Sequence, residues 1–216
     1  MRSVFRPAAA ASSLLLLGFA AAASAGFPEP SLPPFGRDTV LVWKVQIQDD
    51  TKEFVVRIAE FTPDRFLEWE DATTQGTIFM PSHALTSARI FVNASLFEGG
   101  VDTKGKDKTT LWLSQQIYRD LKAKQRLKLS LDGIDGWFTV EGSDQMTIEV
   151  NRAPMSLPVL NVKDDRGSLR GFLDIESNPL LVRHTVRTFS QTLTSITTDR
   201  PNTLRWIKGK KLTNPH

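Results

Sequence analysis

The segment 40–48, VLVWKVQIQ, decides the class of fold because its apolar and polar side chains alternate. Leu41, Trp43, Val45 and Ile47 fall on one face, and lysine and glutamine side chains fall on the other. A period of two is typical of a strand with one buried and one solvated face. The segment therefore predicts a half-buried strand whose apolar face turns toward a core.

The same alternation recurs along the chain. It covers residues 54–60, 67–70, 127–131 and 146–150, and turn-forming residues such as Thr62-Pro63-Asp64 separate the runs. Turns also precede two further predicted strands, at 169–175 and 180–189. Many short strands with regular turns indicate an antiparallel meander that continues into a larger sheet. We therefore expect a mainly β protein, with a large curved antiparallel sheet or a partly open β-barrel.

The middle of the chain predicts a single short helix. Leu113, Ile117 and Leu121 are spaced at i, i+4 and i+8, and Ser114 is placed to cap the first turn. Residues 82–97 show no clean period and are interpreted as mixed strand and loop. Residues 98–108, EGGVDTKGKDK, predict a charged, glycine-rich loop.

The two ends of the chain differ from the rest. Residues 1–25 predict a signal peptide, with Arg2 and Arg6 before an apolar run and Ala23-Ser24-Ala25 as a cleavage motif. The apolar run is shorter than the ~20 residues of a membrane-spanning helix, and an uncleaved anchor is the alternative. We expect export to the periplasm or outside the cell, with no stable membrane span after cleavage. The mature chain then divides into a proline-rich linker (26–36), one β-rich domain (37–200) and a basic tail (201–216).

Composition excludes several functions. The chain has no cysteine, so it has neither a thiolate nucleophile nor a sulfur-ligated metal site. Without the two signal-peptide arginines, 25 basic residues face 24 acidic ones, which argues against a nucleic-acid partner. Residues 100–107 approach a phosphate-binding loop, but Asp107 stands where a serine or threonine must bind magnesium. The sequence therefore predicts no cofactor, no metal and no identifiable catalytic residue.

Apolar strand faces supply the candidate binding residues. Aromatic side chains on a concave sheet either line a ligand cavity or fill the core, and the sequence leaves both open. The predicted cavity residues are Leu41, Trp43, Val45, Ile47, Trp69 and His184. His83 and His184 are the only internal histidines, and neither belongs to an HExxH motif.

Several segments together resemble a known family. They are 40–48, the stretch TTLWLS at 109–114, LPVL at 157–160, and FLDI and NPLL at 172–175 and 178–181. These resemble exported bacterial proteins of domain of unknown function 3108, over roughly residues 37–200. The resemblance implies a half-barrel fold similar to that of periplasmic lipoprotein carriers, an envelope location and the handling of apolar ligands. It implies no reaction and no catalytic residues.

The favoured interpretation is a non-enzymatic envelope protein that binds a lipid or another apolar or amphipathic ligand on its concave sheet. A hydrolase that uses His83 or His184 is one alternative, and it predicts a histidine and carboxylates converging in a cleft. A structural or protein-interaction module with an envelope protein partner is the other, and it predicts an exposed apolar patch without a pocket.

Overall fold

The computed structural model describes residues 31–93, 97, 99 and 102–199. The predicted signal peptide, the first five residues of the linker and the basic tail lie outside the described residues. Within them the chain forms thirteen strands and two helices. The elements are β1 (Val40–Ile47), β2 (Asp50–Glu60), β3 (Arg65–Glu70), β4 (Gln75–Met80), α1 (Ser82–Ser87), β5 (Ile90–Phe91), β6 (Asp102–Lys104), β7 (Lys108–Thr109), α2 (Gln115–Lys124), β8 (Arg126–Leu131), β9 (Ile134–Val150), β10 (Ala153–Asp164), β11 (Leu169–Leu173), β12 (Leu181–Val186) and β13 (Phe189–Thr197).

All thirteen strands belong to one sheet, in the order β6-β4-β3-β2-β1-β13-β12-β11-β10-β9-β8-β5-β7. The edge strands β6 and β7 are separated by only three residues, 105–107, so the two ends of the sheet approach each other. A second pairing joins β13 to β9 through Ser195 and Ile196. The sheet is therefore partly ring-like without closing into a barrel.

The mainly β fold class is confirmed, and two details of the prediction need correction. The sheet is mixed, because β4 pairs with β6, β5 pairs with β7 and β8, and β13 pairs with β9 in parallel. The other pairings of named strands are antiparallel. Strands β5, β6 and β7 are only two or three residues long, which is too short for an alternation to be visible in the sequence.

The second correction is that the chain has two helices instead of one. The predicted helix is α2, and its cap is confirmed because the Ser114 hydroxyl accepts a hydrogen bond from the Ile117 amide at 3.1 Å. The additional helix α1 lies in the segment interpreted as strand and loop. It is six residues long and buries only Ala84, so it has no repeating apolar stripe to detect. Neither helix in the described part of the chain has the length and hydropathy needed to cross a membrane.

The interior of the curved sheet is filled with side chains. Trp43, Trp112, Phe91, Phe138 and Phe172 are the largest fully buried ones. Replacing one such aromatic residue by alanine typically costs about 3–5 kcal/mol of stability. The segment before β1 also joins this core, because Phe35 is buried and its ring lies 5.8 Å from that of Phe61. The second half of the predicted linker is therefore packed against the domain.

Candidate functional site

Two of the predicted cavity residues lie in the core. Leu41 and Trp43 have no exposed surface, and the indole Nε1 of Trp43 donates a hydrogen bond to the Leu181 carbonyl at 3.0 Å. This bond ties β1 to the start of β12 across the interior of the sheet. Both side chains thus fulfil the core role that the alternation also allowed.

Three other predicted residues, Val45, Ile47 and Trp69, line one pocket of about 230 Å³. We call it the aromatic pocket, because four of its walls are aromatic rings. Its lining residues are Val45, Ile47, Lys52, Phe54, Trp69, Asp71, Thr74, Asn93, Phe97, Phe189 and Gln191. The register of the sheet explains this assembly, since Val45 of β1 lies opposite both Gln191 of β13 and Lys52 of β2.

The aromatic rings of the pocket support one another. Phe97 packs edge-on against Phe54, with 4.9 Å between ring centroids, and against Trp69 at 5.5 Å. Edge-to-face contacts of this kind contribute about 0.5–1.5 kcal/mol beyond the area that they bury. Trp69 is almost fully buried, and its indole Nε1 has no hydrogen-bond partner. The pocket therefore has rigid apolar walls.

An ion pair marks the polar side of the pocket. Lys52 Nζ lies 2.6 Å from the Asp71 carboxylate, which also accepts hydrogen bonds from the amides of Thr73 and Thr74. Burial raises the pKa of Asp71, but the Lys52 ammonium and the two amides outweigh burial and hold that pKa well below its usual range. Asp71 is thus a permanent anion at neutral pH, and its charge is already matched by Lys52.

His184, the last predicted residue, lies beside the aromatic pocket. Its Nδ1 is 3.0 Å from Asn93 Nδ2, its ring packs on Phe189 at 5.3 Å, and its backbone position on β12 is opposite Gln191. Burial, followed by the charge of nearby Arg170, lowers the pKa of His184 to about 3. The imidazole is therefore neutral at physiological pH, and its Nε2 has no hydrogen-bond partner.

Arg170 is buried next to His184 and forms an ion pair, although its Nε is buried without a hydrogen-bond partner. Its Nη1 donates to Asp164 Oδ2 at 2.8 Å, and both side chains are at most 3% exposed. The Asp164 carboxylate also accepts from the amides of Arg166 and Ser168. Each charge of this pair therefore has a partner inside the protein.

Neither histidine has the surroundings of a hydrolase site within the described residues. A catalytic triad needs a hydroxyl on one ring nitrogen and a carboxylate on the other. His184 has an amide on Nδ1 and an unpartnered Nε2, while His83 is 65% exposed and lies 3.7 Å from Asp107. In the same part of the chain, no cluster of three or more His, Asp or Glu side chains has the arrangement of a metal site.

A second concavity lies where residues 31–35 pass over β10 and the turn after β11. It encloses about 680 Å³, and we call it the proline cleft. Leu32, Pro33, Pro34, Phe61, Leu157 and Ile175 supply apolar walls, and the polar lining residues are uncharged. The sequence analysis missed this cleft because its lining comes from five separate parts of the chain.

The sequence analysis also did not single out Arg65 of β3, although the sequence contains a pattern that marks this residue as unusual. Arg65 precedes Leu67 and Trp69 at alternate positions, so a charged residue stands on an apolar strand face. The side chain is 7% exposed, and its guanidinium carbon lies 4.5 Å from the ring centroids of both Phe61 and Trp112. Burying an unpaired cation costs free energy, so a buried guanidinium at this position calls for a physical explanation.

No family model, no curated protein and no solved structure matches the chain. The geometry of the two concavities therefore carries the functional argument by itself.

Proposed function

We propose that this is an exported, non-enzymatic envelope protein whose aromatic pocket binds the apolar part of a small or amphipathic ligand. The supporting observation is the convergence of Phe54, Trp69, Phe97 and Phe189 on one concave space that carries a single, internally paired charge group. Ligand sites in proteins are mostly apolar and contain a few placed polar groups. Asn93 and Gln191 supply neutral amides at this pocket.

The size of the pocket restricts the ligand. Pockets for drug-sized molecules have volumes of about 300–1,000 Å³, and the aromatic pocket is smaller. It suits a small aromatic compound, or one end of a longer apolar chain. The signal-peptide pattern at residues 1–25 supports the exported location. The resemblance to exported proteins of domain of unknown function 3108 agrees with both parts of the proposal.

The first test is native mass spectrometry of the chain, purified gently from its own cell envelope, with extraction of small molecules from the same sample. A stoichiometric bound lipid or aromatic compound is the expected result. A mass without any bound compound, together with a failure of the titration below, would overturn the proposal. A bound envelope protein in place of a small molecule would instead favour the interaction-module alternative.

The second test locates binding with the probe 1-naphthol and isothermal titration calorimetry. Ile47 is 45% exposed at the rim of the aromatic pocket, so Ile47→Asp adds a charge there without disturbing the core. We expect binding to weaken about tenfold or more, since a carboxylate at an apolar site must lose hydration when the ligand enters. Ile134→Asp is the matched control, because Ile134 is 56% exposed and does not line the pocket.

A further inference from the structure

The structure points to a second ligand site, independent of the aromatic pocket. We infer that Arg65 binds the anionic head of an amphipathic ligand whose apolar chain lies in the proline cleft. The cleft and the aromatic pocket share no lining residue. The inference therefore goes beyond the proposed function and can fail or succeed separately.

The first argument is the missing counter-ion. Within the described residues, no carboxylate forms an ion pair with Arg65, and its Nε is buried without a hydrogen-bond partner. Burial is the cause that lowers the pKa of Arg65 to about 9, and no nearby carboxylate offsets it. The other nearly inaccessible arginine, Arg170, also has a buried Nε without a partner, but it is paired with Asp164 at 2.8 Å, so the counter-ion is what distinguishes the two. Arg65 thus carries an unsatisfied positive charge that an incoming anion would neutralise.

The second argument is the position of the guanidinium beside the cleft. Phe61, one of its two aromatic neighbours, is itself a wall of the proline cleft. Trp112, the other neighbour, donates through its indole Nε1 to Asn178 Oδ1 at 2.7 Å, and Asn178 also lines the cleft. Arg65 is not itself a lining residue, but the Phe61 ring contacts the guanidinium and lines the cleft, and Trp112 is linked to the lining through one hydrogen bond. The rings fix the guanidinium plane, which leaves less conformational entropy to lose on binding.

The third argument is the chemistry of the lining. The cleft volume of about 680 Å³ lies within the usual range for small-molecule sites. No charged residue lines the cleft, but the adjoining concavity that shares Phe61 with it is lined by Arg37, Arg57, Glu60 and Glu68. Because Arg37 is exposed and Arg57 is paired with Glu68, we assign the selection of the head group to Arg65, the buried cation without a carboxylate partner in the described part of the chain. A guanidinium presents a fork of N–H donors that matches a carboxylate or a phosphate. The ligand class is therefore an amphiphile with one apolar chain and a carboxylate or phosphate head.

The experiment compares four probes by isothermal titration calorimetry at constant ionic strength: decanoate, decyl phosphate, decanol and inorganic phosphate. We expect at least one of the two anionic amphiphiles to bind about tenfold or more tightly than decanol, since decanol lacks the charge that pairs with the guanidinium. The tighter of the two identifies the head group. Inorganic phosphate is expected to bind more weakly than both, because it lacks the chain. Equal affinity for the anionic amphiphiles and decanol, or no binding of any amphiphile, would overturn the inference.

Variants assign the preference to Arg65. Arg65→Met is expected to abolish the difference between the tighter anionic amphiphile and decanol. Arg126→Met is the matched control, since Arg126 also stacks on a tryptophan, with 4.4 Å to the Trp137 ring. Arg126 is exposed and Trp137 does not line the cleft, whereas Phe61, a ring partner of Arg65, does. Retention of the full preference in Arg65→Met would contradict the assignment.

A second variant keeps the inference testable if Arg65→Met does not fold. Gln115 lines the cleft in the first turn of α2, where an added carboxylate is compatible with the helix dipole. Gln115→Glu should weaken the tighter anionic amphiphile about tenfold while decanol binding stays unchanged, because only the anion is repelled. Unchanged binding of that anionic amphiphile would count against the site. The Ile47→Asp variant separates the two sites, since it should weaken 1-naphthol and leave the anion preference intact.

Discussion

Two regions of the sheet each bury an arginine against an aromatic ring, and they treat the charge differently. In the region of β10 and β11, Arg170 lies 5.5 Å from the Phe138 ring and is paired with Asp164. In the region of β3, Arg65 lies 4.5 Å from two rings and has no carboxylate partner among the described residues. Both arginines are buried, so burial by itself does not distinguish the two regions. The presence or absence of an internal counter-ion distinguishes a structural pair from a candidate binding group.

The largest expected effect follows from breaking the paired region. Asp164→Ala leaves Arg170 buried and unpaired and also removes the acceptor of the Arg166 and Ser168 amides. We expect the free energy of unfolding to fall by about 3–5 kcal/mol, as when one partner of a buried pair is deleted. Urea denaturation at pH 7 measures the change.

The neighbouring residue provides the control for that prediction. Asp165 is exposed and accepts one hydrogen bond from the Trp137 amide. Asp165→Ala should cost about 1 kcal/mol or less, because its charge remains solvated in both states. Similar losses for both variants would show that the Asp164–Arg170 pair has no special role in stability.

The next effect is a pH dependence from His184, which lies between Arg170 and the aromatic pocket. Burial lowers its pKa from 6.5 to about 3, so the unfolded chain binds a proton between these pH values and the folded chain does not. Stability is therefore fully present above about pH 6.5 and declines as the pH falls toward 3. Between pH 6.5 and 4.5 we expect a loss of about 2 kcal/mol.

Denaturation at several pH values tests this prediction in His184→Gln. The variant should show a flatter profile over pH 4.5–6.5. The aspartates with lowered pKa values lose their contribution below their ordinary value of 3.8, and they are Asp71, Asp120, Asp144, Asp164 and Asp174. Burial raises the pKa of Glu68, which acts in the opposite direction to His184 but equally in the variant and the unchanged protein. His83→Gln, at an exposed position, should keep the slope of the unchanged protein. An unaltered slope in His184→Gln would refute the assignment.

The smallest expected change in the free energy of unfolding is that of Arg65→Met, which tests directly whether Arg65 lacks an internal partner. Arg65→Met removes a buried cation without leaving any carboxylate unpaired. The lost contacts with the two rings, worth up to about 2 kcal/mol when desolvated, are offset by the removal of an unpaired buried charge. We expect a net change within about 1 kcal/mol, far below that of Asp164→Ala. A loss as large as that of Asp164→Ala would mean that Arg65 serves stability and has a partner of its own.

Much of the fold could be predicted from local patterns. The alternation in 40–48 is confirmed as β1, and Ser114 caps the predicted helix α2. Helix α1 and the strands β5, β6 and β7 were missed because each is too short to repeat its period. The parallel pairings of β5, β6 and β7 were missed for the same reason, whereas the β13–β9 pairing joins two long strands that lie far apart in the chain.

The candidate site was predictable only in part. Val45, Ile47 and Trp69 do line one pocket, and His184 lies beside it, whereas Leu41 and Trp43 are buried in the core. Alternation shows which face of a strand is apolar, but it does not show where along that face the packing opens. Asn93 and Phe97 come from the chain after β5, so their part in the pocket depends on the path of that chain.

The sequence by itself determined the strand periodicity, the mainly β class and the capped helix, because these depend on neighbours within a few residues. Only the tertiary structure decided which buried charges found partners. Asp164 and Arg170 are six residues apart and meet across a turn, while Arg65 depends on Phe61 and on Trp112, which is 47 positions further along the chain. A charge is neutralised by what lies near it in space, and the curvature of the sheet sets that distance.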